Sequence, residues 1–150
     1  IGYNWGAGQV GRAKSIIKCC LCAGAVISIS GAVLMLLFPR QITLLFLDEG
    51  GSELLSMSVH ALRLFSAAYL TRWFGFAVQS FLIALDKPLP ATVLSVSNAF
   101  VFPVALIALL WPLGLDGLWL NTPITSALVS VLAVFIALRM KNLLKTPTEQ

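Results

Sequence analysis

Charged residues are scarce in this sequence. Asp, Glu, Lys and Arg make up 11% of its 150 residues, whereas soluble proteins carry about 25%. Only six residues are acidic, and there is a single histidine. Hydrophobic residues account for 59% of the chain, and the mean hydropathy is +0.94. A soluble domain of this length could not bury so much apolar surface in one core. These values exclude an ordinary soluble enzyme and a disordered tail.

Basic residues outnumber acidic ones, with ten Lys and Arg and a net charge of +4. This balance would suit a nucleic-acid-binding protein if the basic residues formed a patch. They stand singly or in short groups at the edges of apolar runs instead, as in membrane proteins. We therefore expect a lipid bilayer to surround this chain, and we expect no nucleic-acid binding.

Four apolar runs are long enough to cross a membrane. A hydrocarbon core about 30 Å thick needs about 20 helical residues. Three of the runs, residues 19–39, 88–115 and 117–138, hold no charge, and the second in chain order is interrupted near its middle by Arg72. We predict an all-α fold, a polytopic transmembrane bundle whose four helices span residues 15–38, 62–85, 89–110 and 117–140.

The segments between these runs differ in their Lys and Arg content. One side of the membrane would carry seven: Arg12, Lys14, Lys18, Lys87, Arg139, Lys141 and Lys145. The other side would carry two, Arg40 and Arg63. Because cytoplasmic loops are enriched in Lys and Arg, we predict a multi-pass protein of the cell (inner) membrane with residues 1–14 and 141–150 in the cytoplasm. The sequence opens without an initiator Met or a signal peptide, so we expect it to be part of a longer chain.

Arg72 lies near the middle of a predicted span. A charge at that depth is costly, so it should face the protein interior or a water-filled cavity and have a partner. No Asp or Glu of the sequence lies at a comparable depth. The partner is therefore a carboxylate on other helices, a backbone carbonyl or an anionic ligand. A lumen-lining role and a purely structural buried ion pair both fit this position.

One arc of the same helix holds four residues at positions i, i+3, i+4 and i+7: Tyr69, Arg72, Trp73 and Phe76. A face that mixes aromatic and polar side chains suits a cavity for flat cationic or amphiphilic molecules, because aromatic rings stack and attract cations. Gln79 lies on the same helix. These five residues are candidates for a substrate cavity, and simple helix packing is the alternative.

Asn98 and Pro103 are the notable residues of the third predicted helix. An amide inside a membrane must find a partner, either on a neighbouring helix or in a cavity that it lines. Proline removes a backbone hydrogen bond and kinks a helix. We therefore add Asn98 to the cavity candidates and expect Pro103 to be a bending point.

Metal and proton chemistry have weaker signals. The cysteines Cys19, Cys20 and Cys22 have no histidine nearby that could complete a zinc site, so no metal site is predicted. His60 lies with Glu53 in a segment between a loop and a helix. A solvated amphipathic turn explains His60 better than a proton relay.

Three groups of motifs follow one another along the chain. The first is IGYNWGAGQVGRAKS, the second is SVHALRLFSAAY followed by FLIALDKPLPATVLS, and the third is FVFPVALIALLWPLGLDGLWLNTPITSAL. Together they resemble the multidrug and toxic compound extrusion (MATE) transporters. The first resembles the end of that family's eighth helix, the second its tenth helix and the cytoplasmic turn after it, and the third its last two helices. The resemblance covers nearly the whole chain.

This resemblance implies twelve helices in two six-helix lobes that export drugs by alternating access, driven by H+ or Na+. The chain would hold the end of helix eight and helices nine to twelve, and its partner would be the missing N-terminal lobe. In one branch of the family an acidic cation ligand follows a tyrosine by one turn. Tyr69 matches that tyrosine, but Trp73 stands at the acidic position. The other branch has its coupling carboxylate on the first helix, so we expect no coupling residue here and no cofactor besides the ion.

Two other functions remain open. A small four-helix exporter that works as an oligomer would need a glutamate in its first helix, and residues 19–38 contain no carboxylate. A non-transporting scaffold subunit would need only helix-packing stripes such as Gly24, Ser28 and Ala32, but it would leave Arg72 without a purpose. A membrane enzyme is not expected, because no pair of nucleophile and base can be named.

Overall fold

The computed structural model describes residues 1–46 and 52–141, with the side chains of Ser52 and Lys141 left out. Most of the predicted cytoplasmic tail, residues 142–150, lies outside the described residues. Every regular element in the described part is helical. The prediction of an all-α fold is therefore confirmed.

Seven α-helices, one π-helical segment and one 3-10 turn make up the described chain. In order they are α1 Gly2–Gly6, α2 Val10–Leu37, α3 Pro39–Leu44, α4 Ser52–Ala84, α5 Pro88–Val96, the π-helical segment Ser97–Val101, α6 Phe102–Leu110, the 3-10 turn Trp111–Leu113 and α7 Gly114–Lys141. The segment 89–110, predicted as one helix, therefore consists of α5 and α6 with the π-helical segment between them.

All four predicted helices start earlier than the apolar runs alone predict, α5 by a single residue. The largest difference is at α4, which begins at Ser52 rather than at residue 62. An α-helix satisfies its own backbone hydrogen bonds, so it can continue beyond an apolar run into polar surroundings. Glu53 in the first turn favours this extension, because acidic side chains stabilise the positive end of a helix. His60 consequently lies inside α4 and not in a loop.

The helices run up and down between two ends of a bundle, and α4 lies in its middle, with α2 on one side and α7 on the other. At the first end, a Cβ on Gly2 would lie 3.1 Å from the carbonyl oxygen of Ala84. Met140 packs there in one cluster with Leu82. At the second end, His60 of α4 meets Asp116 of α7. We call these the Gly2 end and the His60 end.

The basic residues follow this division into two ends. Arg12, Lys14 and Lys18 of α2, Lys87 before α5 and Arg139 of α7 belong to the segments that meet at the Gly2 end. Arg40 and Arg63 belong to the segments near the His60 end. The beginning of the chain, the end of α7 and the Lys87 turn therefore share one end of the described bundle.

A three-residue turn reverses the chain between α6 and α7. Gly114 follows it with φ +60° and ψ −132°, a conformation that side-chain-bearing residues essentially do not adopt. At Gly117 a Cβ atom would overlap the carbonyl of Leu110. These two glycines therefore allow α7 to fold back directly alongside α6.

Much of the apolar surface of the bundle is exposed. Two stretches, Val10–Leu37 and Pro88–Met140, are long and apolar enough to cross a membrane, and 11% of the residues in an apolar 18-residue window of each are buried. The turn described above divides the second stretch into two helices. A core helix of a soluble protein would be mostly buried, so these exposed apolar helices indicate a membrane protein.

Two serine hydroxyls connect α4 to its neighbours near the depth of Arg72. Ser28 of α2 donates to the carbonyl oxygen of Tyr69 at 2.6 Å. Ser130 of α7 donates to the carbonyl oxygen of Thr71 at 2.7 Å. Such bonds between membrane helices contribute about 0.6 kcal/mol each on average. They fix the height and rotation of α4 relative to α2 and α7.

The closest approach between α4 and α7 generates a prediction. A Cβ on Gly75 would lie 2.9 Å from Cγ1 of Val129, so Gly75→Ala should force the two helices apart. Overpacking of this kind costs about 1–3 kcal/mol. We expect a lower thermal-unfolding midpoint in detergent for Gly75→Ala, measured by tryptophan fluorescence.

Gly31→Ala is the matched control, because nothing lies within 4 Å of a Cβ built at that helical glycine. It should leave the midpoint unchanged or raise it slightly. Shortening Val129 to Ala should restore part of the stability lost in Gly75→Ala. A midpoint for Gly75→Ala equal to that of the wild type would contradict the packing described here.

Candidate functional site

A polar cavity of about 310 Å³ lies between α4, the π-helical segment, α6 and α7. Its lining combines one cation with amide and hydroxyl side chains: Arg72, Asn98, Ala99, Pro103, Asn121, Thr122, Thr125 and Ser126. A narrow gap beside it, too small to admit a water molecule, is lined by Gly75, Phe76, Gln79 and Val129 together with Arg72, Asn98 and Ser126. We call these residues together the Arg72 cleft.

Two further cavities are almost entirely apolar. One of about 350 Å³ lies at the turn between α6 and α7, against Trp111 and aliphatic side chains. Another of about 350 Å³ lies between α3 and α4. Neither contains a charged side chain. The Arg72 cleft is therefore the better candidate for binding chemistry.

Arg72 is exposed to the cleft and contacts an aromatic ring. Its guanidinium carbon lies 5.5 Å from the centre of the Phe76 ring, within the range of a cation–π interaction. Among the residues that the structure describes, no carboxylate pairs with this guanidinium; the described ion pair joins His60 and Asp116. The cleft therefore carries a positive charge with no opposite charge in its lining.

The predicted arc of aromatic residues on α4 divides between two neighbours. Phe76 and Gln79 line the cleft with Arg72. Trp73 turns toward α2, because a Cβ on Gly24 would lie 3.4 Å from its ring, and its indole N–H donates to the Leu70 carbonyl at 3.0 Å. Tyr69 is exposed and is not among the residues lining the cleft.

Asn98 lies in the π-helical segment and lines the cleft with Arg72. Pro103 follows this segment as the second residue of α6. Because proline has no N–H, it cannot bond the carbonyls of Asn98 or Ala99, one turn earlier. A π-helical turn often marks a functional site within a longer helix. Whether the helix bends at Pro103 during function stays a prediction.

Asn121 connects α7 to α6 at the cleft. Its amide nitrogen donates to the Pro103 carbonyl at 3.3 Å, and its amide oxygen accepts from the Thr125 hydroxyl at 3.0 Å. Asn121 and Thr125 are both buried. This pair holds the polar wall of the cleft against the proline.

The polar wall of the cleft is formed by Asn121, Thr122, Thr125 and Ser126 of α7, and none of them was among the candidate site residues predicted from the sequence. Thr122, Ser126 and Ser130 lie at intervals of four on α7, as do Asn121 and Thr125. A four-residue repeat of hydroxyl and amide side chains marks one face of a helix. That repeat within an otherwise apolar run was the signal that could have identified them.

A second group of polar side chains lies at the His60 end. Nε2 of His60 lies 3.2 Å from a carboxylate oxygen of Asp116, and its ring meets the edge of Trp119 at a centroid distance of 5.7 Å. Both partners of the pair are more than half exposed. Exposed pairs of this kind contribute about 0–1 kcal/mol, so this group is a weak connection between α4 and α7.

The three cysteines are exposed on α2. In the described part of the chain, no group of three metal-binding side chains converges on one point.

Comparison with known proteins gives a family for most of the chain. A family model described as MatE matches residues 1–109 of the 150. Searches of curated proteins and of solved structures gave no match. The matched range includes Arg72 and Asn98 and ends within α6, so the wall contributed by α7 lies beyond it.

The bridge from Asn121 to α6 generates a second prediction. Asn121→Ala removes the donor to Pro103 and the acceptor for Thr125, and each buried group left unpaired costs about 1–3 kcal/mol. We expect a clear fall in the thermal-unfolding midpoint. Thr92→Ala is the control, because the exposed Thr92 hydroxyl bonds only a carbonyl of its own helix. Equal midpoints for the two variants would show that the bridge contributes nothing measurable.

Proposed function

Since the chain belongs to the MatE family, we propose that it works within a secondary transporter that exports drugs from the cell in exchange for H+ or Na+. The match confirms the family resemblance drawn from the sequence motifs. It supports a membrane transport protein, and a family of transporters agrees with the expectation that the chain is not an enzyme.

The observation that carries this proposal is the Arg72 cleft. Its charged and polar lining lies within a bundle whose surface is largely apolar. Polar and ionisable groups between membrane helices mark paths for substrates and ions, because they are too costly to retain without a use. We take the cleft as the positively charged part of a larger central cavity for amphiphilic or cationic small molecules, whose cationic groups would lie away from Arg72.

The proposed architecture has four membrane-spanning helices in this chain. They are α2, α4, α5 together with α6, and α7. The shortest of them, Pro88–Leu110, has 23 residues and extends about 35 Å at 1.5 Å per residue, enough for a hydrocarbon core of about 30 Å. We further propose that they belong to a twelve-helix, two-lobe transporter whose other lobe closes the cleft.

The proposed mechanism is alternating access, in which the two lobes move against each other around a site near the middle of the membrane. Pro103 and the π-helical segment before it are our candidates for the bending point on this side. The cleft lining contains no carboxylate, and Trp73 stands where one branch of the family has an acidic ligand. We therefore propose that the coupling ion binds in the partner lobe.

Other functions have less support. A self-sufficient four-helix exporter would need a carboxylate in α2, and Val10–Leu37 contains none. A scaffold subunit would not need the polar wall of Asn121, Thr125 and Ser126. The family match favours transport over both.

The proposed orientation can be tested by labelling single cysteines in intact cells. With Cys19, Cys20 and Cys22 replaced by Ala, one variant carries Lys87→Cys at the Gly2 end and another carries Leu113→Cys at the His60 end. Because we place both chain ends in the cytoplasm, a membrane-impermeant maleimide should label Leu113→Cys and label Lys87→Cys only after the cells are opened. The reverse pattern would overturn the orientation.

Export can be tested by filling the cleft in the protein expressed in cells that lack their own drug exporters. Ala99 lines the cleft and is exposed, so Ala99→Trp should obstruct the cleft without disturbing the buried core. We expect drug accumulation to rise to the level of cells without the transporter. Ala108 is exposed on α6 and lies outside the cleft, so Ala108→Trp should export normally.

Dissipating the proton gradient in one experiment and replacing sodium in another should identify the coupling ion. Export that survives both treatments would contradict ion-coupled antiport.

Equal export by Ala99→Trp and Ala108→Trp, at equal expression, would exclude the cleft from the substrate path.

A further inference from the structure

We propose that the Arg72 cleft binds the carboxylate group of an aromatic or amphiphilic substrate, zwitterions included. The inference rests on the transport function proposed above and names the chemical class of one part of its substrate. It follows from the charge, the hydrogen-bonding groups and the aromatic surface that the cleft brings together.

The charge of the cleft is the first argument. Arg72 supplies one positive charge, and the residues lining the cleft include no Asp or Glu. The guanidinium of an arginine keeps its positive charge in proteins. A cationic group placed beside it would be repelled. The cleft therefore accepts an anionic group of a substrate and directs any cationic group elsewhere.

The hydrogen-bonding groups of the cleft are the second argument. A guanidinium presents N–H donors in a fork that fits the two oxygens of a carboxylate. Asn121 uses its amide nitrogen on Pro103 and its amide oxygen on Thr125. The Ser126 hydroxyl donates to the Thr122 carbonyl within α7. The polar wall is thus held in place by its own bonds, and Arg72 provides the strong donors that face the cavity.

The position of Phe76 is the third argument. Its ring lies beneath the guanidinium of Arg72 at 5.5 Å and is 46% exposed, so part of it remains available to a ligand. A planar aromatic acid can place its ring near Phe76 while its carboxylate meets Arg72. An aromatic carboxylate uses both groups together, whereas a small inorganic anion uses only the charge.

Restraint of α4 is the fourth argument. The carbonyls of Tyr69 and Thr71, which lie three residues and one residue before Arg72, both accept serine hydroxyls from neighbouring helices. The backbone that carries Arg72 is therefore held by α2 and α7 before any ligand arrives. Such preorganisation reduces the entropy lost on binding.

The test compares two forms of one rhodamine dye, the free carboxylic acid and its methyl ester. The two dyes differ only in whether a carboxylate is present, and fluorescence anisotropy measures their binding to the protein purified in detergent. Arg72→Gln should weaken binding of the acid about tenfold or more, the loss typical of a charge-assisted bond. It should change binding of the ester by less than about twofold, as expected when no charged partner is lost.

Two variants serve as controls. Arg139→Gln removes an exposed arginine of α7 outside the cleft, so it should leave the binding of both dyes unchanged. Arg72→Lys keeps the charge but loses the forked geometry, and it should bind the acid with an affinity between those of the wild type and Arg72→Gln. Normal ester binding by Arg72→Gln shows that the variant is folded.

Three results would overturn the inference. They are a wild-type protein that does not bind the acid, an Arg72→Gln variant that binds the acid as well as the wild type does, and equal loss of both dyes. Equal loss is the result expected if Arg72 pairs with a carboxylate of the other lobe. Failure of the proposed function looks different: the acid binds in an Arg72-dependent way, but cells expressing the protein export neither dye.

Discussion

Two hydroxyl-to-carbonyl bonds determine where the central helix of this bundle lies. Ser28 and Ser130 bind carbonyls of α4 from opposite neighbours, two residues apart in the sequence of α4. In hydrocarbon, apolar side chains gain little by packing on each other rather than on lipid, so close approach and interhelical hydrogen bonds determine how membrane helices associate. The short distance between Gly75 and Val129 adds the close approach. The direction of Arg72, and with it the shape of the cleft, depends on these contacts.

The cleft shows how a membrane protein can keep polar groups among apolar helices. Asn121 and Thr125 satisfy each other and the carbonyl of Pro103, while Ser126 satisfies a carbonyl of its own helix. Within the described residues no buried side-chain nitrogen or oxygen is left without a partner. Arg72 differs from this wall, because its charge is balanced by no carboxylate in the lining. Polar side chains that bond to one another are typical of ordinary packing. A cation with no carboxylate beside it is typical of a binding surface.

The sequence predicted the helical class well, because apolar run length is an average over many residues. It was less accurate at helix ends, as at Ser52, where backbone hydrogen bonding continues beyond the apolar run. The sequence singled out Arg72, Phe76, Gln79 and Asn98, which do line the cleft. It could not predict that Trp73 packs toward Gly24, since a shared arc does not say which neighbour each side chain meets. The α7 wall was missed because hydroxyl residues in apolar helices commonly bond their own backbone.

The π-helical segment Ser97–Val101 has a consequence for how this region tolerates sequence change. Its hydrogen bonds reach back five residues, as in the bond from the Phe102 N–H to the Ser97 carbonyl, instead of the four of an α-helix. The turn therefore holds about one residue more than an α-helical turn, which corresponds to a rotation of roughly 100° for everything that follows. Side-chain replacements in Ser97–Val101 leave this offset in place. Loss or gain of a single residue would instead turn the whole of α6 about its axis, exchanging the face that meets α7 for one that meets lipid. Length in this short segment is consequently constrained more tightly than composition.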